Sequence, residues 1–469
     1  MPDEPFRRKT PDSALTFIKR LVLWGAAISI VLIVLALAAG IALTRITDQK
    51  LEQKLAQIRA TGAPTSQEEL LAQAQEWREK TQNQTVGCPA TKLLLELKPE
   101  SFVSAPEVRG VQVFGSRGES DAATLMETWD SEVADAVHQA VDSNRATLDQ
   151  VREIVKLPLD NPSEVIDFIS QDRDFVSSYR APNLLAARGA ANLLALDALV
   201  AIKEQRPDDA LNDASSVLVL SRYLNNTMPS TIGYMISIAL RGIAIKSIVQ
   251  PAFTEADFSE EAMARFLNEL CSIDFNRQMS KALKWERLEM LNFYSNPQLA
   301  SKFCQLRARL LPFWHNADKN KFLELYDTVE QVTALPYPEF VRAEAEFSKP
   351  PEKMSWVVAP LANFISPSAK LKKQVVTQQV MEELLSIAMA LRSYKLANGA
   401  YPEELQALCP DFLPVLPNDR FTEKPLIYRK TDEGCVVYSA GPDMNDDGGI
   451  PRPLKLDKDD PSPTTWFGL

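Results

Sequence analysis

Histidine is almost missing from this chain: 469 residues hold two, His138 and His315. That excludes His-rich metal centres and leaves a Ser-His-Asp arrangement only two residues to draw on. Cysteine is nearly as scarce, with Cys88, Cys271, Cys304, Cys409 and Cys435 far apart and never as C-x-x-C, so neither a zinc site nor a redox motif is indicated. The chain also lacks a G-x-S-x-G elbow, a G-x-x-x-x-G-K-[ST] loop, a G-x-G-x-x-G turn and an H-E-x-x-H helix. Glu127 and Asp130, either side of Trp129, read as a solvated helix face, and Trp314-His315 reads as packing. An enzyme is the less favoured class.

Charge of one sign is short as well. The net charge is −11, and residues 1–45 carry six basic and three acidic groups, so the remainder carries −14. Such a surface repels a phosphate backbone, which excludes nucleic acid as the expected partner.

Long apolar runs are limited to one. Residues 21–43, "LVLWGAAISIVLIVLALAAGIAL", hold no charged side chain and make a helix of about 34 Å, enough to cross a bilayer. A cleaved signal is the competing reading, because Ala36-Leu37-Ala38 follows a basic start, but the run continues to Leu43. The apolar stretch 230–253 carries Arg241 and Lys246 and reads as a helix buried in protein, so a single span is expected. Lys19 and Arg20 abut the run, which puts residues 1–20 in the cytoplasm and the rest outside it.

The remainder is mainly helical by pattern. Residues 44–65 form a stalk, and Ser66 to Glu69 begin the next helix as a capping box. Residues 66–335 make a helical domain with one short extended stretch, "RGVQVFG" at 109–115, too isolated to define a sheet. Within it, residues 183–224 form a helical hairpin turning at Arg206-Pro207. A tetratricopeptide-like unit and an ordinary antiparallel pair are both open readings. Asp257 or Ser259 starts a later helix, and prolines mark 336–366 as a connector.

The C-terminal module, 367–450, combines a helix at 369–398 ended by Asn398-Gly399 with a hairpin about Thr431-Asp432-Glu433-Gly434 and an acidic loop, followed by a tail at 451–469. The expected fold is thus a mainly α ectodomain with a C-terminal α+β module, preceded by one transmembrane helix. In the loop, Asp443, Asn445 and Asp447 alternate before Gly448-Gly449, a pattern whose oxygens can converge on calcium; Asp446 could replace one ligand and Ser439 could complete the shell. An EF-hand is excluded, since its twelfth position is Leu454.

Several words of this module occur together: Asn398, Gly399, Tyr401, Pro402 and Leu405; Leu416-Pro417 with Asp419 and Phe421; Pro425-Leu426 with Tyr428; Tyr438-Ser439 with Gly441 and Asp443. As a set it resembles the globular part of the type II secretion major pseudopilin, over about residues 370–450. The resemblance implies a calcium-binding terminal loop, a secretion or envelope assembly as setting, and a bacterial inner-membrane protein with its C-terminal domains in the periplasm. The chain departs from that family in having no peptidase site before the apolar run and no glutamate inside it. It also has Arg420 and Glu423 where relatives often have Pro and Gly, and Glu423 suits that turn poorly if positive φ is needed.

A disulfide between Cys409 and Cys435 would suit an oxidising compartment, while two free thiols are the commoner outcome for such a pair. The expected function is a non-enzymatic, membrane-anchored protein that binds a protein partner in the cell envelope. The alternatives are a hydrolase using carboxylates in a cleft of the helical domain, or a sensor of an unknown small ligand.

Overall fold

The computed structural model of the chain describes residues 12–81, 97, 101–115, 120–157, 182–227, 230–255, 257–295, 309–347, 359–431, 434–446, 448–449 and 466–468. It is mainly helical, with a long apolar N-terminal helix. In chain order the elements are α1 (Asp12–Ala60), α2 (Gln67–Thr81), β1 (Ala105–Val108), β2 (Val111–Phe114), α3 (Ala122–Glu127), α4 (Ser131–Ser143), α5 (Arg145–Val155), α6 (Pro182–Lys203), α7 (Pro207–Thr227) and α8 (Thr231–Ile243). A π-helical turn, Ala244–Val249, joins α8 to α9 (Gln250–Glu255). Then come α10 (Glu260–Leu270), α11 (Phe275–Ser295), α12 (Pro312–Ala334), α13 (Tyr337–Phe347), α14 (Ala359–Asn398), a 3-10 turn at Leu405–Leu408, β3 (Ile427–Lys430), β4 (Cys435–Tyr438) and β5 (Trp466–Gly468).

Two compact units make up the chain: Met1–Thr65 with Leu291–Glu324, and Ser66–Met290 with Leu325–Leu469. In the first, α1 carries the apolar run and the stalk as one helix of 49 residues. Its stalk half holds the first part of α12. Lys54 Nζ lies 3.2 Å from Glu324 Oε1 and donates to the Asn320 carbonyl at 3.4 Å, Asn320 Nδ2 donates to the Thr47 carbonyl at 3.1 Å, and Asn316 donates to Asp48. Leu51, Ile58, Phe322 and Leu323 are buried, whereas large side chains along the apolar run are exposed. Among the described residues two further helical stretches, Leu184–Lys203 and Thr231–Phe253, are long and apolar enough to span a membrane, but 89% and 56% of an apolar 18-residue window in each is buried inside the protein.

The second unit is organised on the α6–α7 hairpin. Apolar side chains surround α6 on every face, so it can be stable only as the central helix, and Ala186 to Ile202 are almost all buried. α7 folds back against it through a turn in which Gln205 takes a left-handed φ of 60°. Ser259, one of the two expected starts, caps α10 by accepting from the Ala262 N–H at 3.2 Å. Pro251 has no N–H to give and in an α-helix would strike the carbonyl four residues back, which accounts for the wider π turn before it; there the Gln250 N–H reaches back to the Ile245 carbonyl.

The expected lone strand proves to be half of a hairpin. β1 pairs antiparallel with β2, and Arg109 and Gly110, with φ of 53° and 79°, form the turn. The proline-rich segment is partly helical. Pro336 and Pro338 flank the start of α13, and Pro360 lies in the first turn of α14, positions where a missing N–H costs nothing. α14 therefore begins ten residues before the expected 369. Val380, Leu384, Ile387, Ala388 and Leu391 of α14 share one apolar core with α6, α7, β4 and Phe421. The predicted hairpin forms with Tyr428 opposite Val437, and a third strand from the C-terminal tail adds to it, in the order β3-β4-β5.

Candidate functional site: the acidic loop and the buried charges

The acidic loop follows β4. The Asn445 N–H donates to Asp443 Oδ1 at 3.1 Å, and Asp446 Oδ1 accepts from the Gly448 N–H and the Tyr438 hydroxyl, each at 2.9 Å. The Gly448 N–H first and the Tyr438 hydroxyl second hold the Asp446 carboxyl below its ordinary range, with Arg429 adding to the effect. Glycine is required at Gly449, where φ is 64° and a Cβ would come within 2.6 Å of the Tyr438 ring. Asp443, Asn445 and Asp446 are exposed, so their oxygens share one surface loop; Asp447 lies outside the described residues. Among the described residues no three His, Cys, Asp or Glu side chains gather into a metal-binding group.

Ser439 belongs to a different structure. Its hydroxyl is fully buried, donates to Asp419 Oδ1 at 2.8 Å and accepts from the Gly441 N–H at 3.0 Å, a commitment that takes it out of the expected calcium shell. Asp419, 2% exposed, also accepts from the N–H groups of Phe421 at 3.0 Å and Ala440 at 2.9 Å. This carboxylate ties the 419–424 turn to the exit of β4. In the sequence Asp419 is only one word of the resemblance; its role at the loop's root depends on partners about twenty residues away.

Cys409 and Cys435 are not bridged; both thiols are free. Cys435 is buried, and burial pushes its thiol up to about 11 despite the Tyr428 hydroxyl, so it is a packed, inert sulfur. Of the other residues noted in the sequence, Asp130 caps α4 by accepting from Glu132 and Val133 N–H groups and pairs with Arg109 at 2.6 Å. His315 packs edge-on against Tyr294 with ring centroids 5.7 Å apart and has Nε2 3.1 Å from the Tyr294 carbonyl, as packing requires. Its neighbour Trp314 is 52% exposed, which departs from the expected packing role.

Buried charge clusters among the described residues of the second unit include three that join helices. Arg152 binds Asp197 and, at 3.0 Å, Asp213, joining α5 to α6 and α7. Burial pushes the Asp213 carboxyl up, against the pull of Arg152 and with the push of Asp197. Glu286 accepts from Thr231 and, at 3.0 Å, from the Tyr326 hydroxyl; burial raises it to about 7. Arg241 is fully buried against Glu382. The signal for two of these stood in the sequence: Asp197 and Arg241 are isolated charges inside apolar helices, a position stable only with a buried partner.

Compared with protein-family models, curated proteins and solved structures, the chain matches none.

Proposed function

We propose that this is a single-span, membrane-anchored protein whose helical body projects outside the cytoplasm and binds a protein partner in the cell envelope. The observation that carries the reading is the contrast between apolar helices. The side chains of α1 from Leu21 to Leu43 are exposed along the helix, while the other two stretches of spanning length are largely covered by protein. An exposed apolar helix of that length is at home only in lipid. Among its described residues the body exposes separate apolar side chains, Leu185, Ile232, Leu396 and Val415 among them.

The alternative of a carboxylate hydrolase would draw on buried acids of the helical domain such as Asp197, Asp213 and Glu286. The first two are held by Arg152, and we read that cluster as a clamp between helices. The C-terminal helix and sheet serve, in this proposal, as a pseudopilin-like end cap in a secretion or envelope assembly, and the acidic loop is stiffened by calcium on Asp443, Asn445 and Asp447.

Site-specific photo-crosslinkers at Leu185, Ile232, Leu396 and Val415 in living cells test the partner. A discrete adduct at one or more positions supports the proposal, and no adduct at any of them counts against it. Protease added to intact cells and to spheroplasts tests the sidedness: the body should be cut only in spheroplasts. Calcium is tested on the full chain in detergent, where a melting temperature raised by calcium over chelator should be lost in Asp443→Ala with Asp447→Ala; equal melting with and without calcium removes the cation from the proposal.

A further inference from the structure

The first unit places a second apolar feature beside the end of the span. The contacts between α1 and α12 join residues 266, 268 and 273 apart in sequence, Lys54–Asn320, Asp48–Asn316 and Thr47–Asn320, and the Lys54–Glu324 pair continues the series. From Asp48–Asn316 to Lys54–Glu324 residue numbers rise along both helices, with Asn320 between them reaching Thr47 on one side and Lys54 on the other, so the two run parallel and the start of α12 points the same way as the apolar run. With offsets of 266 to 273, this register brings Trp314 level with residues 41–48, where the apolar run gives way to the polar stalk, and Leu310 lies just before the helix begins at Pro312.

The side chains at that level are those that water disfavours. Leu310 is 68% exposed and Trp314 52%, with the Phe313 ring 5.5 Å from the Trp314 ring. Large exposed apolar residues of this unit, among those described, are Phe17 and Ile18, those of the run itself, Ile46, Leu310 and Trp314. Farther along the stalk, Leu51, Ile58, Phe322 and Leu323 are all covered. On both helices, then, the exposed apolar residues precede the covered ones in the direction that leads away from the apolar run. An indole, apolar with one N–H donor, suits the boundary between headgroups and acyl chains, and the exposed Arg45 at that height suits anionic headgroups.

We propose that Leu310, Phe313 and Trp314, at and just before the start of α12, insert into the interfacial layer of the same bilayer that holds α1, giving the protein a second membrane contact. This rests on the reading of residues 21–43 as a span. Two contacts fix the azimuth and tilt of the stalk, where a single helix would leave it free to rotate.

The test uses the full chain reconstituted into phosphatidylethanolamine–phosphatidylglycerol vesicles, with lipids brominated near the headgroup end or near the tail end of the acyl chains. Tryptophan quenching is compared among the wild type, Trp24→Phe and Trp314→Phe. Trp314→Phe should remove a quenchable component as large as Trp24→Phe removes, and stronger for bromine near the headgroups. If Trp24→Phe lowers the quenched fraction and Trp314→Phe does not, the span stands and the second contact is overturned. If neither variant changes quenching, the span itself fails. A blue-shifted Trp314 contribution without lipid quenching would assign the patch to a second copy or another protein and equally overturn the proposal. Because Trp314 is half exposed, its replacement by Phe leaves the fold intact, and an unchanged melting temperature verifies that.

Discussion

Arg241 and Glu382 meet as a two-pronged ion pair wholly inside the protein: Nε donates to Oε1 and Nη2 to Oε2, both at 2.6 Å, between residues 141 apart in sequence. Nη2 also donates to the Leu270 carbonyl at 2.7 Å, closing the end of α10, and Gln378 donates to Glu382 Oε1 at 2.9 Å. One guanidinium thus pins α8, α10 and α14 together, with the Phe275 ring 5.6 Å away on its flank.

Breaking that pair on one side should cost far more than removing it whole. Arg241→Met leaves a buried carboxylate without its counter-ion and should lower stability by about 3–5 kcal/mol. Adding Glu382→Leu should restore most of the loss, because a buried pair gains little over apolar residues of similar volume. Denaturant unfolding of the full chain in detergent measures both. Equal losses in the single and double variants would mean that the two charges do not act on one another.

Glu286 makes the fold sensitive to pH in a specific direction. Its carboxyl moves from 4.5 to about 7 in the folded chain, chiefly through burial. Between those values the folded state holds a proton that the unfolded state has released, so this group's contribution falls as pH rises from about 4.5 to about 7 and is flat above. Glu286→Gln keeps an acceptor for the Tyr326 hydroxyl and removes the titration. The stability of the Glu286→Gln chain minus that of the wild type should therefore climb through that window, reaching about 3 kcal/mol at most. Taking the difference cancels Asp213, whose carboxyl is raised as well. A difference that stays level from acid to neutral pH would show that Glu286 is ionised throughout.

Asp419 carries the root of the acidic loop. Asp419→Ala strands the Phe421 and Ala440 N–H groups and the Ser439 hydroxyl in a buried place, which should cost about 3 kcal/mol or more; Asp419→Asn keeps one acceptor oxygen and should cost about half of that. Thermal melting ranks the two. If the Ala variant melts with the wild type, the carboxylate is dispensable and the loop is held by its backbone alone.

Local chemistry was the legible part of this sequence. The 23-residue apolar run, the Ser259 cap, the Gly399 stop with φ of 80° and the turn between Thr431 and Gly434 each depend on neighbours within a few residues, and each stands where its pattern put it. Pairings over long separations were not legible. Nothing near Arg241 names Glu382, nothing near Ser439 names Asp419, and the tail that supplies β5 has no alternation long enough to mark a strand. Prolines misled for a related reason: Pro338 and Pro360 read as breakers, yet in a first helical turn they break nothing.

Glu423 turns one departure from the pseudopilin pattern into a measurable strain. The turn does need the left-handed conformation, and Glu423 adopts it with a φ of 58°. An L side chain in that region costs about 1 kcal/mol, which glycine does not incur. The Glu423 side chain is exposed, while its backbone N–H donates to the Asp419 carbonyl at 2.7 Å, a bond that any residue can make. Glu423→Gly should then raise stability, by about 1 kcal/mol less the entropy that glycine adds to the unfolded chain. Gly399→Ala, where φ is 80° and no atom crowds the Cβ position, tests the same strain in reverse and should lower stability by a similar amount. Paired melting curves of the two variants and the wild type check both signs. A Glu423→Gly chain that melts below the wild type would show that the turn draws more from its glutamate than it loses to the backbone.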